Sequence, residues 1–165
     1  MGRLKPPPLI ATVFSRFVAK TVHLVKITLM PPVNDLNAKE VLLQEILRSH
    51  SPLLIAYSGG VDSTLLLAVA HKVLGAKAIG MIADSPSLPR ASLAEALRVA
   101  ASIGAAAEVV QTTELEDPRY AENPMNRCYF CKAELFSRMD AAARERGFAA
   151  IAYGENADDP SHERP

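Results

Sequence analysis

The sequence predicts an α/β fold built on a doubly wound parallel sheet. Three observations carry the prediction. Short continuous apolar runs of strand length alternate with longer segments of helical period, the pattern of a sheet buried on both faces. Glycines stand just beyond three of the helical segments, at positions 75, 104 and 147. With 49% hydrophobic residues, 5% aromatic and no tryptophan, the composition is aliphatic and alanine-rich, which suits strands covered by close-packed helices.

Taken in order, Leu36, Val41, Leu42, Leu43, Ile46 and Leu47 recur near helical spacing, so residues 35–49 are expected as a helix that Ser51-Pro52 ends. Residues 53–57, Leu-Leu-Ile-Ala-Tyr, form an apolar run fit for a central strand, and residues 62–74 a helix after it. The unit then repeats, with strand 78–83, helix 91–103, strand 108–111, helix 127–146 and strand 149–153. Four strands alternating with helices imply right-handed parallel crossovers. After the fourth strand the chain runs into polar, loop-like residues, and the expectation is a domain incomplete at its C-terminal side.

The formal net charge of zero conceals two segments. Residues 1–34 carry Arg3, Lys5, Arg16, Lys20 and Lys26 and no acid; subtracting these five from 18 basic residues leaves 13 against 18 acidic ones, a net of −5 from Asp35 onward. An acidic body is a poor match for a phosphate backbone, which argues against a nucleic-acid partner. Residues 1–34, punctuated by Pro6-Pro7-Pro8 and Pro31-Pro32, read as a disordered appendage to a domain spanning 35–165. A transit peptide has a similar composition, and a true start at Met30 is the bland alternative; either makes residues 1–29 dispensable. Two cysteines, Cys128 and Cys131, are too few for a disulfide framework, so a reducing cytoplasm is expected. No apolar run reaches the roughly 18 residues that span a bilayer.

The chemistry gathers at Ser58-Gly59-Gly60-Val61-Asp62-Ser63, between a strand and a helix. Paired glycines let backbone amides approach an anion, Ser58 and Ser63 offer hydroxyls, and the helix directs its positive end at bound phosphates. The Walker pattern is absent, and no lysine stands at the helix start. Asp62 fits a Mg²⁺ ion or a polyphosphate-positioning role. An ordinary strand-to-helix turn capped by Asp62 is the alternative.

These six residues resemble the signature of the PP-loop ATP pyrophosphatases, the adenine nucleotide alpha hydrolase-like fold. Residues 83–90, 117–120, 126–132 and 153–159 narrow the likeness, which resembles the LarE family of ATP-dependent sulfur transferases that help make the nickel-pincer nucleotide. The resemblance implies that Ser58, Gly59, Gly60, Asp62 and Ser63 hold the pyrophosphate part of ATP, with Asp62 and Ser63 catalytic. It implies that Ala83 and Ser85 lie against the adenosine. Asn156, Asp158 and Asp159 follow the fourth strand at the same sheet edge, the two aspartates joining Asp62 around Mg²⁺; a solvated loop is their bland reading. Cys128 and Cys131 match the first two positions of a 4Fe-4S iron–sulfur cluster whose third cysteine this chain lacks, and two buried structural thiols are the alternative. The substrate expected on this resemblance is a small pyridinium nucleotide carboxylate, with no membrane partner and a homo-oligomer left open. Rival readings are tRNA thiolation, ammonia-dependent amidation and a non-catalytic nucleotide-binding fragment.

Overall fold

The computed structural model describes residues 12–14, 22–29, 36–86, 88–112 and 127–156. Strands β1 (Thr12–Phe14) and β2 (His23–Leu29) come first, followed by helix α1 (Leu36–Ser49). Strand β3 (Leu53–Ala56), helix α2 (Val61–Leu74), strand β4 (Ala78–Asp84), helix α3 (Arg90–Ser102) and strand β5 (Ala107–Gln111) continue the alternation. Helix α4 (Arg127–Arg146) and strand β6 (Ala150–Asn156) complete it. Each helix and strand expected from residue 35 onward is present within three residues of its expected ends.

The strands form one sheet in the order β1-β2-β6-β3-β4-β5, parallel throughout except for the β1–β2 pair. Side chains alternate across it, as strand geometry requires. Leu53 and Ile55 of β3, Ile82 of β4 and Ala150 and Ala152 of β6 join Leu43 and Leu47 of α1, Leu66, Leu67 and Ala70 of α2, and Ala96 and Ala100 of α3. Leu54, Met81 and Ile151 face the other way, against Leu135, Phe136, Met139 and Ala143 of α4. The sheet is therefore doubly wound, with three α-helices on one face and one on the other among the described residues. Fully buried side chains such as Leu47, Leu67 and Met139 each stabilise the fold by roughly 1.5–3 kcal/mol.

The N-terminal segment corrects an expectation. Residues 1–34 were set outside the domain, yet β2 pairs with β6 over seven residues, from His23 opposite Ala150 to Leu29 opposite Asn156. Val25 lies in the main core at 1% exposure. The reason is physical: β-branched and apolar residues at 25, 27 and 29 complete a sheet whose β6 side needs a partner, whereas the acid-free charge pattern only marked the segment as different.

The chain builds outward from β3 in both directions, to β4 and β5 on one side and back to β6 on the other. Such a reversal opens a crevice at the carboxyl ends of the two central strands, where open α/β sheets hold their ligands.

Candidate functional site

The loop 57–60 leaves β3 at that reversal. Tyr57 is buried at 1% exposure; its N–H donates to the Met81 carbonyl at 2.9 Å and its hydroxyl to the Ala96 carbonyl at 2.8 Å. Gly59 follows at φ 79°, in the left-handed region, and a Cβ there would stand 2.7 Å from the Cβ of Ala96. Only glycine fits. Thus α3 serves as the backstop of the loop, through Ala96 at two points.

Gly60 differs. It caps α2 at φ −73° and ψ 165° with no side-chain hydrogen bond, and an added Cβ would meet nothing nearer than the Ser58 hydroxyl at 3.5 Å. The first α2 amides have no intrahelical acceptor by construction, so this end is a positive surface open to the crevice. Val61 and Asp62 at the helix start are exposed.

Ser63 sits at 7% exposure and holds the loop closed. Its hydroxyl donates to the Gly60 carbonyl at 3.1 Å, accepts from the Ser58 N–H at 3.2 Å and lies 3.0 Å from the Ser58 hydroxyl. With one donor and two lone pairs, that hydroxyl is occupied by the loop itself. Its proton goes to Gly60, so Ser58 is the donor between the two hydroxyls, and the Ser58 oxygen accepts from the Gly60 N–H at 3.4 Å, while Asp62 at the helix start is exposed.

On the β6 side, Gly154 passes beneath the first turn of α2: a Cβ there would meet the Asp62 carbonyl oxygen at 3.2 Å and its carbon at 3.4 Å. This close passage brings the end of β6, including the backbone of Asn156, to the helix start. Asp158 and Asp159 lie outside the described residues. Among the described residues, no group of three His, Cys, Asp or Glu is placed to hold a metal ion. Asp62 supplies an oxygen ligand of the hard type that Mg²⁺ takes.

On the β4 side, Ala83 is the penultimate residue of the strand and Ser85 is buried just beyond its end. Between them is a residue that the sequence did not single out. Asp84 is 8% exposed, ion-paired to Arg90 at 2.5 Å and accepting from the Gln111 side chain at 2.7 Å. The Arg90 guanidinium, then the Gln111 amide, hold the Asp84 carboxyl below the usual carboxylate range, and the pair raises Arg90.

Cys128 and Cys131 belong to the first turn of α4, on the sheet face opposite α2. The rings of Phe136 and Tyr153 meet edge to face at 5.3 Å, which fixes the register of helix and strand. At about 1.5 Å per residue the helix backbone rises roughly 7 Å from Phe136 to Cys131 and 12 Å to Cys128. Strand β6 advances about 10 Å from Tyr153 to Asn156. The cysteine-bearing turn is thus level with the carboxyl edge of the sheet. Two thiols do not make up the donor set of an iron–sulfur cluster.

No protein-family profile matches the chain. It is 49% identical over 112 residues to an uncharacterized protein of Synechocystis sp., covering 68% of this chain and 42% of that protein. Over 131 residues it is 29% identical to pyridinium-3,5-bisthiocarboxylic acid mononucleotide synthase of Lactiplantibacillus plantarum, covering 79% of this chain and 48% of the synthase. The synthase is a LarE protein, so the resemblance drawn from the motifs is borne out. An ammonia-dependent NAD synthetase of Campylobacter jejuni superposes with a TM-score of 0.51 at 16% identity, over 68% of this chain and 51% of that one. The fold is the PP-loop fold. The chain spans less than half the length of the curated relatives it matches. No helix among its described residues is long and apolar enough to cross a membrane.

Sequence reasoning missed Ala96, Asp84 with Arg90 and Gln111, and Gly154. Gly154 and Asp84 stood inside motifs that were noted for other residues. Ala96, one alanine among many on a helix, carries no signal in the sequence.

Proposed function

We propose that this domain binds ATP·Mg²⁺ and carries the activation half of a sulfur-transfer reaction, adenylating a carboxylate of a pyridinium nucleotide with release of pyrophosphate. The observation that carries the reading is the loop 58–63 at the β3–β6 reversal. There the internal bonds of Ser63 and the packing of Gly59 on Ala96 shape a backbone whose one uncovered glycine, Gly60, opens to solvent. Similarity to the pyridinium-3,5-bisthiocarboxylic acid mononucleotide synthase supports the choice of substrate class.

In this reading the β- and γ-phosphates rest on the amides at the start of α2, above the loop that the Ser58–Ser63 hydroxyl pair holds closed. Mg²⁺ held at Asp62 would supply charge neutralisation for the polyphosphate, and Asp158 and Asp159, which come shortly after Asn156 in the sequence, are its further proposed ligands. The substrate carboxylate attacks the α-phosphorus, the bond to the bridging oxygen breaks, and pyrophosphate departs with both electrons. The helix end and loop amides stabilise charge where it grows, on the leaving group, which is the effect that lowers the barrier. Ala83 near the end of β4 and Ser85 just beyond it flank the adenosine. A sulfur nucleophile then displaces AMP from the acyl-adenylate to leave a thiocarboxylate.

Gly60→Val tests the reading directly. The protein leaves room for the new side chain, so the urea midpoint should stay close to that of the wild type, while a branched side chain over the amides should abolish ATP·Mg²⁺ binding by calorimetry. Equal ATP affinity in the two proteins would sink the assignment.

A further inference from the structure

We propose that Arg90 is a positioning residue that orders the loop between β4 and α3 for a nucleotide held at the phosphate loop; the inference rests on the ATP reading above. One guanidinium nitrogen, Nη2, faces three acceptors: an Asp84 carboxylate oxygen at 2.5 Å, the Ser85 carbonyl at 3.0 Å and the Leu88 carbonyl at 2.9 Å. The Leu88 N–H donates back to the Ser85 carbonyl at 2.9 Å, so the arginine closes a turn from outside.

Its anchor is itself held. The second Asp84 oxygen accepts from Gln111 of β5, and the Asp84 carbonyl accepts from the Thr112 N–H at 3.3 Å. A salt bridge anchored on a buried strand residue and reaching two loop carbonyls passes the rigidity of the sheet to a segment that has no regular structure of its own. The loop fixed in this way carries the buried Ser85 and leads into α3, the helix whose Ala96 backs Tyr57 and Gly59.

The two flanks of the phosphate loop are unequal. On the β6 side, Gly154 closes against the backbone of Asp62, which leaves that flank crowded and without room for a base. The β4 side, with Ala83 and Ser85, is left for the nucleoside, and Arg90 governs its shape. The Arg90 side chain is itself 62% exposed. Exposed ion pairs contribute little to global stability, so the consequence of this one is local order.

The test uses the full chain with Arg90→Ala and Arg90→Lys, probed with ATP·Mg²⁺ and separately with inorganic pyrophosphate. In Arg90→Ala the Leu88 amide should exchange hydrogen about tenfold faster. ATP affinity should fall about tenfold, pyrophosphate affinity should change less than about twofold, and the urea midpoint should hold. Arg90→Lys, which keeps the charge and one donor group, should restore part of the ATP affinity. Loss of pyrophosphate and ATP binding together would overturn the inference, because Arg90 would then act on the phosphates or on the whole fold. Unchanged Leu88 exchange would overturn the clamp regardless of ligand. A wild-type chain that binds neither probe would instead strike the ATP reading, and the nucleotide role of Arg90 with it.

Discussion

Replacing Gly59 with alanine loads two separate penalties on the phosphate loop. An alanine held at φ 79° costs about 1–2 kcal/mol from the clash of Cβ with its own backbone. The new methyl would also lie 2.7 Å from the Cβ of Ala96, roughly 0.8 Å inside the carbon–carbon optimum. Relieving that contact means displacing α3 or the loop, an overpacking cost of about 1–3 kcal/mol. Together these give roughly 2–5 kcal/mol against a total stability of about 5–15 kcal/mol. With a urea dependence near 2 kcal/mol per molar, the unfolding midpoint should fall by about 1–2.5 M. The double variant with Ala96→Gly separates the two penalties. It removes the methyl contact but leaves the strained φ and adds about 1 kcal/mol for glycine in a helix, so the single-variant effects should fail to add by roughly 1–3 kcal/mol. Additivity within about 0.5 kcal/mol would refute the claim that Ala96 is the backstop of the loop.

Two further outcomes follow from the same structure. Deleting residues 1–29 removes β2 and the buried Val25; burial of that side chain alone is worth about 1.5–3 kcal/mol, so the melting temperature should drop by several degrees, and an unchanged melting curve would show that β2 is no part of the stable sheet. Asp84, whose folded carboxyl is held low by Arg90 and then Gln111, contributes stability that is full above the unfolded carboxylate value of about 3.9 and lost as pH falls through the lower folded value. Carbon-13 NMR of the Asp84 carboxyl should therefore give a titration midpoint below about 3.9, and a midpoint at or above it would remove the ion pair from the account.

The periodicity of the sequence determined every α-helix and every strand among the described residues from 36 onward, because a sheet buried on both faces and helices buried on one impose hydrophobic patterns that need no partner to be read. The hexapeptide 58–63 marked its own loop for the same kind of reason, since glycines and hydroxyls adjacent in the chain are adjacent in space. What the tertiary structure alone decided lies between residues far apart. It placed β2 beside β6, set Ala96 behind Gly59, passed Gly154 under Asp62 and joined Arg90 and Gln111 on Asp84. Strand order and close approaches of backbone depend on how the elements pack, and packing leaves no period or spacing in the chain. The composition of residues 1–34 pointed away from the sheet because charge and proline report on solvent exposure of a segment's ends, whereas membership of a sheet is settled by seven residues of β2 finding an open edge on β6.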